Sequence, residues 1–173
     1  MIILITGASH TGKTLLAQRY LEKYKIPYLS LDHLKMGLIR SGRLTLAPES
    51  PMEELTGQLW PIAREIIKTN LENSQSLIVE GCYIPFDYQK DFAPEYLSHI
   101  KFICLVFSEQ YIERHFDQIW RYQNVIEKRV KPEDKEKLKY RLLTENARNL
   151  NLGKQHDCYC LLIDNEYSVL PDL

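Results

Sequence analysis

The stretch Met1-Ile-Ile-Leu-Ile-Thr-Gly-Ala-Ser-His-Thr-Gly-Lys-Thr14 decides how the rest of the chain is read. Ile2 to Thr6 is an apolar, largely β-branched run that fits a buried parallel strand. Gly7 to Thr14 matches G-x-x-x-x-G-K-[ST] in full. Leu15, Leu16, Ala17, Tyr20 and Leu21 then recur at helical spacing. Strand, glycine loop and helix in that order form a phosphate cradle: successive N–H groups point inward and the helix start adds partial positive charge. Gly7, Ala8, Ser9, His10, Thr11, Gly12, Lys13 and Thr14 are therefore the expected nucleotide-binding loop. Lys13 supplies a point charge to the β- and γ-phosphates, the Thr14 hydroxyl is a ligand for Mg²⁺, and His10, at a variable position, lends its backbone.

The bulk numbers set bounds on the partners. At 173 residues the chain is expected to be one domain with a good core, and 45% apolar and 26% charged residues are ordinary for a soluble globular protein. A formal net charge of −1 provides no global basic field for nucleic acid or membrane, so any anion site is local. Cys82, Cys104, Cys158 and Cys160 lack zinc spacing; three lie in or beside apolar runs and read as buried small side chains, with a Cys-x-Cys metal or redox site as the other reading. The first residues lack a basic flank and a cleavage site, and no apolar run reaches the roughly 18 residues that suggest a span. The expected address is cytoplasmic, without nucleic acid or membrane; monomer and homodimer are both open.

Outward from the loop, Lys25 to Asp32 reads as a second strand ending on a carboxylate, with Asp32 as N-cap of a short helix over His33 to Arg40. Leu44 to Pro51 is a loop, Met52 to Trp60 is helical, and Pro61 is placed to start a further helix with Ile62, Ala63, Ile66, Ile67 and Leu71 on its apolar face. Ser76 to Glu80 is a third strand, again ending on a carboxylate, and Gly81 to Pro94 a loop with at most a helical turn. Ile100 to Phe107 is a fourth strand, with Ser108 as cap of the helix from Glu109. Glu133 to Asn149 is a charged amphipathic helix, Gly153 ends that segment, and Tyr159 to Ile163 is a fifth strand. This alternation predicts an α/β fold, a three-layer α/β/α arrangement around a five-stranded parallel sheet. Right-handed crossovers place all strand ends on one edge, so the loop, Asp32, Glu80 and Asp164 should line one rim.

Several readings of that rim stay open. Glu80 closes Leu-Ile-Val and, with Thr14, is the expected holder of magnesium, which borrows only one or two protein oxygens; the alternative is an acid exposed by accident. Asp32 could take or orient the proton of an acceptor hydroxyl, orient metal-bound water, or merely cap a helix. Lys35, Arg40 and Arg43 suit an anionic acceptor, or are ordinary surface charges. Arg114 and Arg121 are seven residues apart and share a helix face; with Lys128 and Arg129 they form either a lid over transferring phosphoryl oxygens or a solvated face with pairs such as Asp117–Arg121.

These residues resemble the small P-loop kinases of the nucleoside-monophosphate-kinase superfamily along nearly the whole chain. In adenylate kinases an acid, two residues and an arginine follow the second strand; Asp32 and Lys35 match, with lysine for arginine. Glu80, Gly81 and Pro85 are similar to that family's third-strand end, but no arginine lies between Gly81 and Pro94, which counts against a nucleotide acceptor. Val79 to Pro85 also resembles the matching stretch of 2-phosphoglycerate-kinase-like and zeta-toxin-like phosphotransferases. The resemblance implies a single P-loop NTPase domain over 1–173, with a lid around 114–131, an acceptor-binding segment around 32–60, and further phosphate-binding arginines at Arg141 and Arg148. It implies an ATP- and Mg²⁺-dependent kinase acting on a small-molecule acceptor: Lys13, Asp32 and Arg121 catalytic, Arg114 and Arg129 on the nucleotide, Asp32, Lys35 and Arg40 on the acceptor, Thr14 and Glu80 on the metal. A P-loop ATPase or a non-catalytic nucleotide-binding regulator is the alternative; a GTPase switch lacks its Asn-Lys-x-Asp motif here.

Overall fold

The computed structural model describes residues 1–122 and 134–167. The first strand, β1 (Ile2–Gly7), is buried along its whole length and runs through the loop into α1 (Lys13–Tyr24). Next come β2 (Tyr28–Ser30), α2 (Leu31–Arg40), α3 (Met52–Glu72) and β3 (Leu77–Glu80). A 3₁₀ turn at Tyr88–Asp91 and the short α4 (Pro94–Leu97) lead to β4 (Ile100–Phe107); α5 (Glu109–Tyr122), α6 (Lys135–Gln155) and β5 (Cys160–Ile163) follow. The strands lie in the order β2-β3-β1-β4-β5, and every pairing is parallel.

Alternate residues of β1 serve opposite faces, because side chains in a strand alternate. Ile2 and Leu4 pack against Leu55, Leu59, Trp60, Ala63 and Ile67 of α3. Ile3 and Ile5 share a buried cluster with Leu16, Ala17 and Tyr20 of α1, Ile112, Phe116 and Ile119 of α5, and Leu138 and Leu142 of α6. The three-layer α/β fold expected from the alternating pattern is therefore the observed one. Among the described residues no helix is long and apolar enough to cross a membrane.

Four local expectations are corrected. The second strand is three residues long, and α2 begins at Leu31, which puts Asp32 in the first helical turn rather than at the cap. Pro61 does not start a helix: α3 runs through it uninterrupted. The proline removes one N–H that would have met the Gly57 carbonyl, but the apolar face buried on both sides holds the helix together. The last helix starts at Lys135, where the Asp134 carboxylate accepts the Glu136 and Lys137 amides at 3.1 Å. It also continues past Gly153, and there the glycine is a packing residue: a Cβ would lie 2.2 Å from Cys160 Sγ on β5. Ser108 does cap α5, its hydroxyl accepting the Tyr111 amide at 2.9 Å.

Candidate active site

The carboxyl end of β1 passes into the loop through Gly7, whose φ is 142° and whose Cβ, were there one, would sit 2.4 Å from the Leu105 carbonyl on β4. Gly12, at φ 84°, closes the loop; a Cβ there would fall 1.5 Å from the Tyr167 hydroxyl. Both positions need glycine for conformation and for space. Between them His10 adopts a left-handed φ of 66°, and the buried Thr11 donates its hydroxyl to Ala8 O at 2.8 Å. The helix starts at Lys13, and Leu16 N donates to Gly12 O at 2.9 Å.

Lys13 is 7% exposed and donates to Ala8 O at 2.8 Å. Burial works against its charge, but Cys82, Glu80 and Asp32 outweigh burial and raise its pKa. Those three groups come from the ends of β3 and β2, so the sheet has gathered them around the lysine. Glu80 pairs in register with Ser30 and is 1% exposed. Both of its carboxylate oxygens lack a hydrogen-bond partner, although the Ser30 and Thr14 hydroxyls stand beside them. Burial raises its pKa, with the Asp32 charge adding to that and Ser30, Lys13 and Thr14 opposing it.

Asp32 is the opposite case. Its carboxylate accepts from Lys35 Nζ at 2.8 Å and from the Tyr83 hydroxyl at 3.3 Å, while Lys35 also donates to that hydroxyl at 2.7 Å. Burial pushes its pKa upward, but Lys35, Lys13 and Tyr83 overcome that and lower it. Lys35 is correspondingly raised against burial by Asp32 and Tyr83, and Tyr83 is pushed up to about 12, chiefly by burial.

An orphaned, buried carboxylate next to a threonine hydroxyl is the donor set of a hydrated magnesium ion, which keeps most of its waters. Among the described residues no cluster of three His, Cys, Asp or Glu side chains is arranged to hold a metal, and magnesium in such a loop needs none. Thr14 and Glu80 therefore fit the ion that a triphosphate would bring.

Other expected residues lie elsewhere. Arg40 is exposed in the last turn of α2, about 140° around the helix from Lys35. Arg114 and Arg121 do share a face of α5; with His115, Asp117 and Gln118 they line an open hollow of about 390 Å³. Among the described residues no hydrogen bond joins either arginine to the loop. Lys128, Arg129 and the rest of residues 123–133 lie outside the described residues. Asp164 follows a strand on the same edge, but β5 is outermost, with β4 between it and β1.

Four neighbours of the loop were not among the expected site residues. Cys82 and Tyr83 follow β3 and point their polar atoms at Lys13 and Lys35. Tyr167 donates its hydroxyl to Thr11 O at 3.0 Å. Glu145, on α6, meets Ser9. Only the aromatic and glycine content around Gly81 hinted at the first.

No known family profile matches the chain, and no curated protein does. Solved structures do. A protein of Chloroflexus aurantiacus provisionally assigned as a kinase superposes with a TM-score of 0.56 at 21% identity, over 96% of this chain and 88% of that one. Shikimate kinase from Bacteroides thetaiotaomicron superposes with a TM-score of 0.52 at 17% identity, over 94% and 86%. The class that fold and loop define is thus an α/β fold with a P-loop, the fold of these two structures. Identity at this level speaks for the fold alone.

Proposed function

We propose that the chain is an ATP-dependent phosphotransferase that moves the γ-phosphoryl group to a small acceptor. The observation that carries this reading is the buried Glu80 carboxylate, whose oxygens accept no close hydrogen bond from the protein, next to Thr14 and Lys13 at the mouth of the loop. A buried charge left unsatisfied by the fold is costly unless a ligand completes it. The kinase fold of the two superposed structures supports the same class of chemistry.

In this reading the loop amides and Lys13 hold the β- and γ-phosphates, and Thr14 and Glu80 hold the metal. Magnesium, when bound, offsets the triphosphate charge. Asp32 faces the acceptor. Held ionised by Lys35, it orients an acceptor hydroxyl and receives its proton as the oxygen bonds to the γ-phosphorus and the bond to the β–γ bridging oxygen breaks. The products are the phosphorylated acceptor and ADP. Residues 32–60 bind the acceptor and 114–131, with Arg114, Arg121 and Arg129, act as the lid of a single kinase domain. Lys35 is already committed to Asp32 and Tyr83, and Arg40 faces away, so a hydroxyl acceptor fits this corner better than a nucleoside monophosphate.

The test is labelled ATP with Mg²⁺ against panels of nucleoside monophosphates, nucleosides and hydroxylated or phosphorylated metabolites. Transfer of label that depends on one acceptor is the expected result. Hydrolysis indifferent to every acceptor would make the chain an ATPase, and tight ATP binding without turnover would make it a regulator.

A further inference from the structure

Helix α6 reaches the phosphate loop at Ser9. The Ser9 amide donates to Glu145 Oε2 at 3.4 Å, and Arg141 donates to Ser9 Oγ at 3.0 Å and to Glu145 Oε1 at 3.3 Å. The acid and the base are one helical turn apart, so both project from the same face of α6. Their side chains are 30% and 28% exposed, which leaves them room to rearrange.

The contact is chemically unusual. Loop amides of this kind are donors for phosphate oxygens, yet here one of them faces a carboxylate. Ser9 also lies toward the outer end of the cradle. Lys13, whose ammonium serves the β- and γ-phosphates in such loops, rests on the carbonyl of Ala8, the residue next to Ser9. A γ-phosphoryl oxygen and the Glu145 carboxylate therefore compete for the same N–H and the same guanidinium, and as like charges they cannot sit together there without cost.

We propose that Glu145 is a stand-in for the γ-phosphoryl group: it holds the Ser9 amide and Arg141 while the loop carries no triphosphate, and yields both when ATP binds. The inference rests on the kinase reading above and adds to it a residue that sets triphosphate against diphosphate affinity. ADP has no γ-phosphoryl group, so it leaves the Ser9–Glu145 contact in place. Glu145 lowers the affinity for ATP without touching that for ADP.

The experiment is calorimetric titration of the full chain, wild type, Glu145→Ala and Glu145→Gln, with Mg-ATP and separately with Mg-ADP. Loss of the competing carboxylate is expected to tighten ATP by about fivefold to tenfold, the scale of one charge-assisted contact at a half-exposed site, and to leave ADP within about twofold. Glu145→Gln keeps an acceptor but no charge and should tighten ATP less. Arg141→Met should do the reverse, weakening ATP while leaving ADP nearly unchanged. Equal shifts for the two nucleotides, or weaker ATP binding in Glu145→Ala, would overturn the proposal while leaving the kinase reading intact. Wild-type protein that binds neither nucleotide would remove the kinase reading itself, and this inference with it.

Discussion

Glu80 closes β3 and Asp32 lies in the first turn of α2, two residues past the neighbouring strand β2, and the protein treats them in opposite ways. Glu80, closing β3, is buried and unpartnered, and burial raises its pKa. Asp32, just past β2, is clamped by Lys35 and Tyr83, and its pKa is lowered. The oxygens of the first acid are left without a protein hydrogen bond; the second is held by the protein itself. An acid of the first kind costs stability until its ligand arrives, whereas one of the second kind is set in place in advance. The metal-holding and acceptor-orienting roles proposed for them divide along that line.

The harshest way to break the comparison is to remove the cation between the two. Lys13→Ala takes away the ammonium that both acids share and, in the proposed reading, the point charge on the γ-phosphoryl oxygens. Turnover should fall by about a thousandfold, the upper scale for loss of one preorganised electrostatic donor. A folded Lys13→Ala protein with wild-type turnover would reject the assignment of the loop.

Asp32→Asn separates the two corners. It should lower kcat by about a hundredfold, as for loss of a positioned proton acceptor, with ATP affinity unchanged. It should also lower the melting temperature at neutral pH, because Lys35 loses its partner. The pH dependence follows in sign. A depressed carboxyl pKa contributes stability that is present above the ordinary value of 3.8 and is lost as pH falls through the folded-state value. The gap between wild type and Asp32→Asn should therefore close as the melts are taken into acid. A constant gap from neutral to strongly acidic pH would show that the pair is not what Asn removes.

The contrast between these acids also shows what could be read before the structure was known. The loop was legible because its chemistry is local: two glycines, a lysine and a threonine in one octet, between a strand and a helix. Glu80 was legible as a strand end, and Asp32 only as an acid near the same edge, since alternation of strands and helices implies a shared edge. Their opposite environments were not, because those arise from residues distant in the chain. Ser30 meets Glu80 through strand register, and Tyr83 meets Lys35 across 48 residues. Pro61 and Gly153 misled for one reason. Each is a local helix breaker, overruled by packing that no local pattern contains: the buried face of α3 in the first case, the close approach of Cys160 in the second.

Glu80→Gln tests the other corner and predicts an opposite sign. With a raised folded-state pKa, the ionised carboxylate penalises the folded protein increasingly as pH rises from the ordinary value of 4.5 through the folded one. The neutral amide should raise the melting temperature at neutral pH in the absence of metal, and the gain should vanish in acid. Turnover should fall by about tenfold to a hundredfold, since one oxygen of the metal site is weakened, and Mg²⁺ with ATP should stabilise the variant less than wild type. If Glu80→Gln melts below wild type at neutral pH, the carboxylate has a protein partner after all and loses its claim to the metal.

The smallest effect is expected at Tyr83, which touches the Asp32 corner without belonging to the charge pair. Its hydroxyl receives one hydrogen bond from Lys35 and gives a longer one to Asp32. Tyr83→Phe keeps the ring that lies under the Lys35 ammonium, 5.2 Å from the centroid, and removes only the oxygen. The pair should persist with slightly looser geometry, so kcat should drop by about threefold to tenfold, within the roughly 0.5–1.5 kcal/mol of an ordinary hydrogen bond. Any larger loss would mean that the tyrosine hydroxyl contacts the acceptor directly. A change confined to acceptor KM, with kcat at the wild-type value, points the same way: a group that only steadies Asp32 acts on the proton, and a group that holds the acceptor acts on its binding.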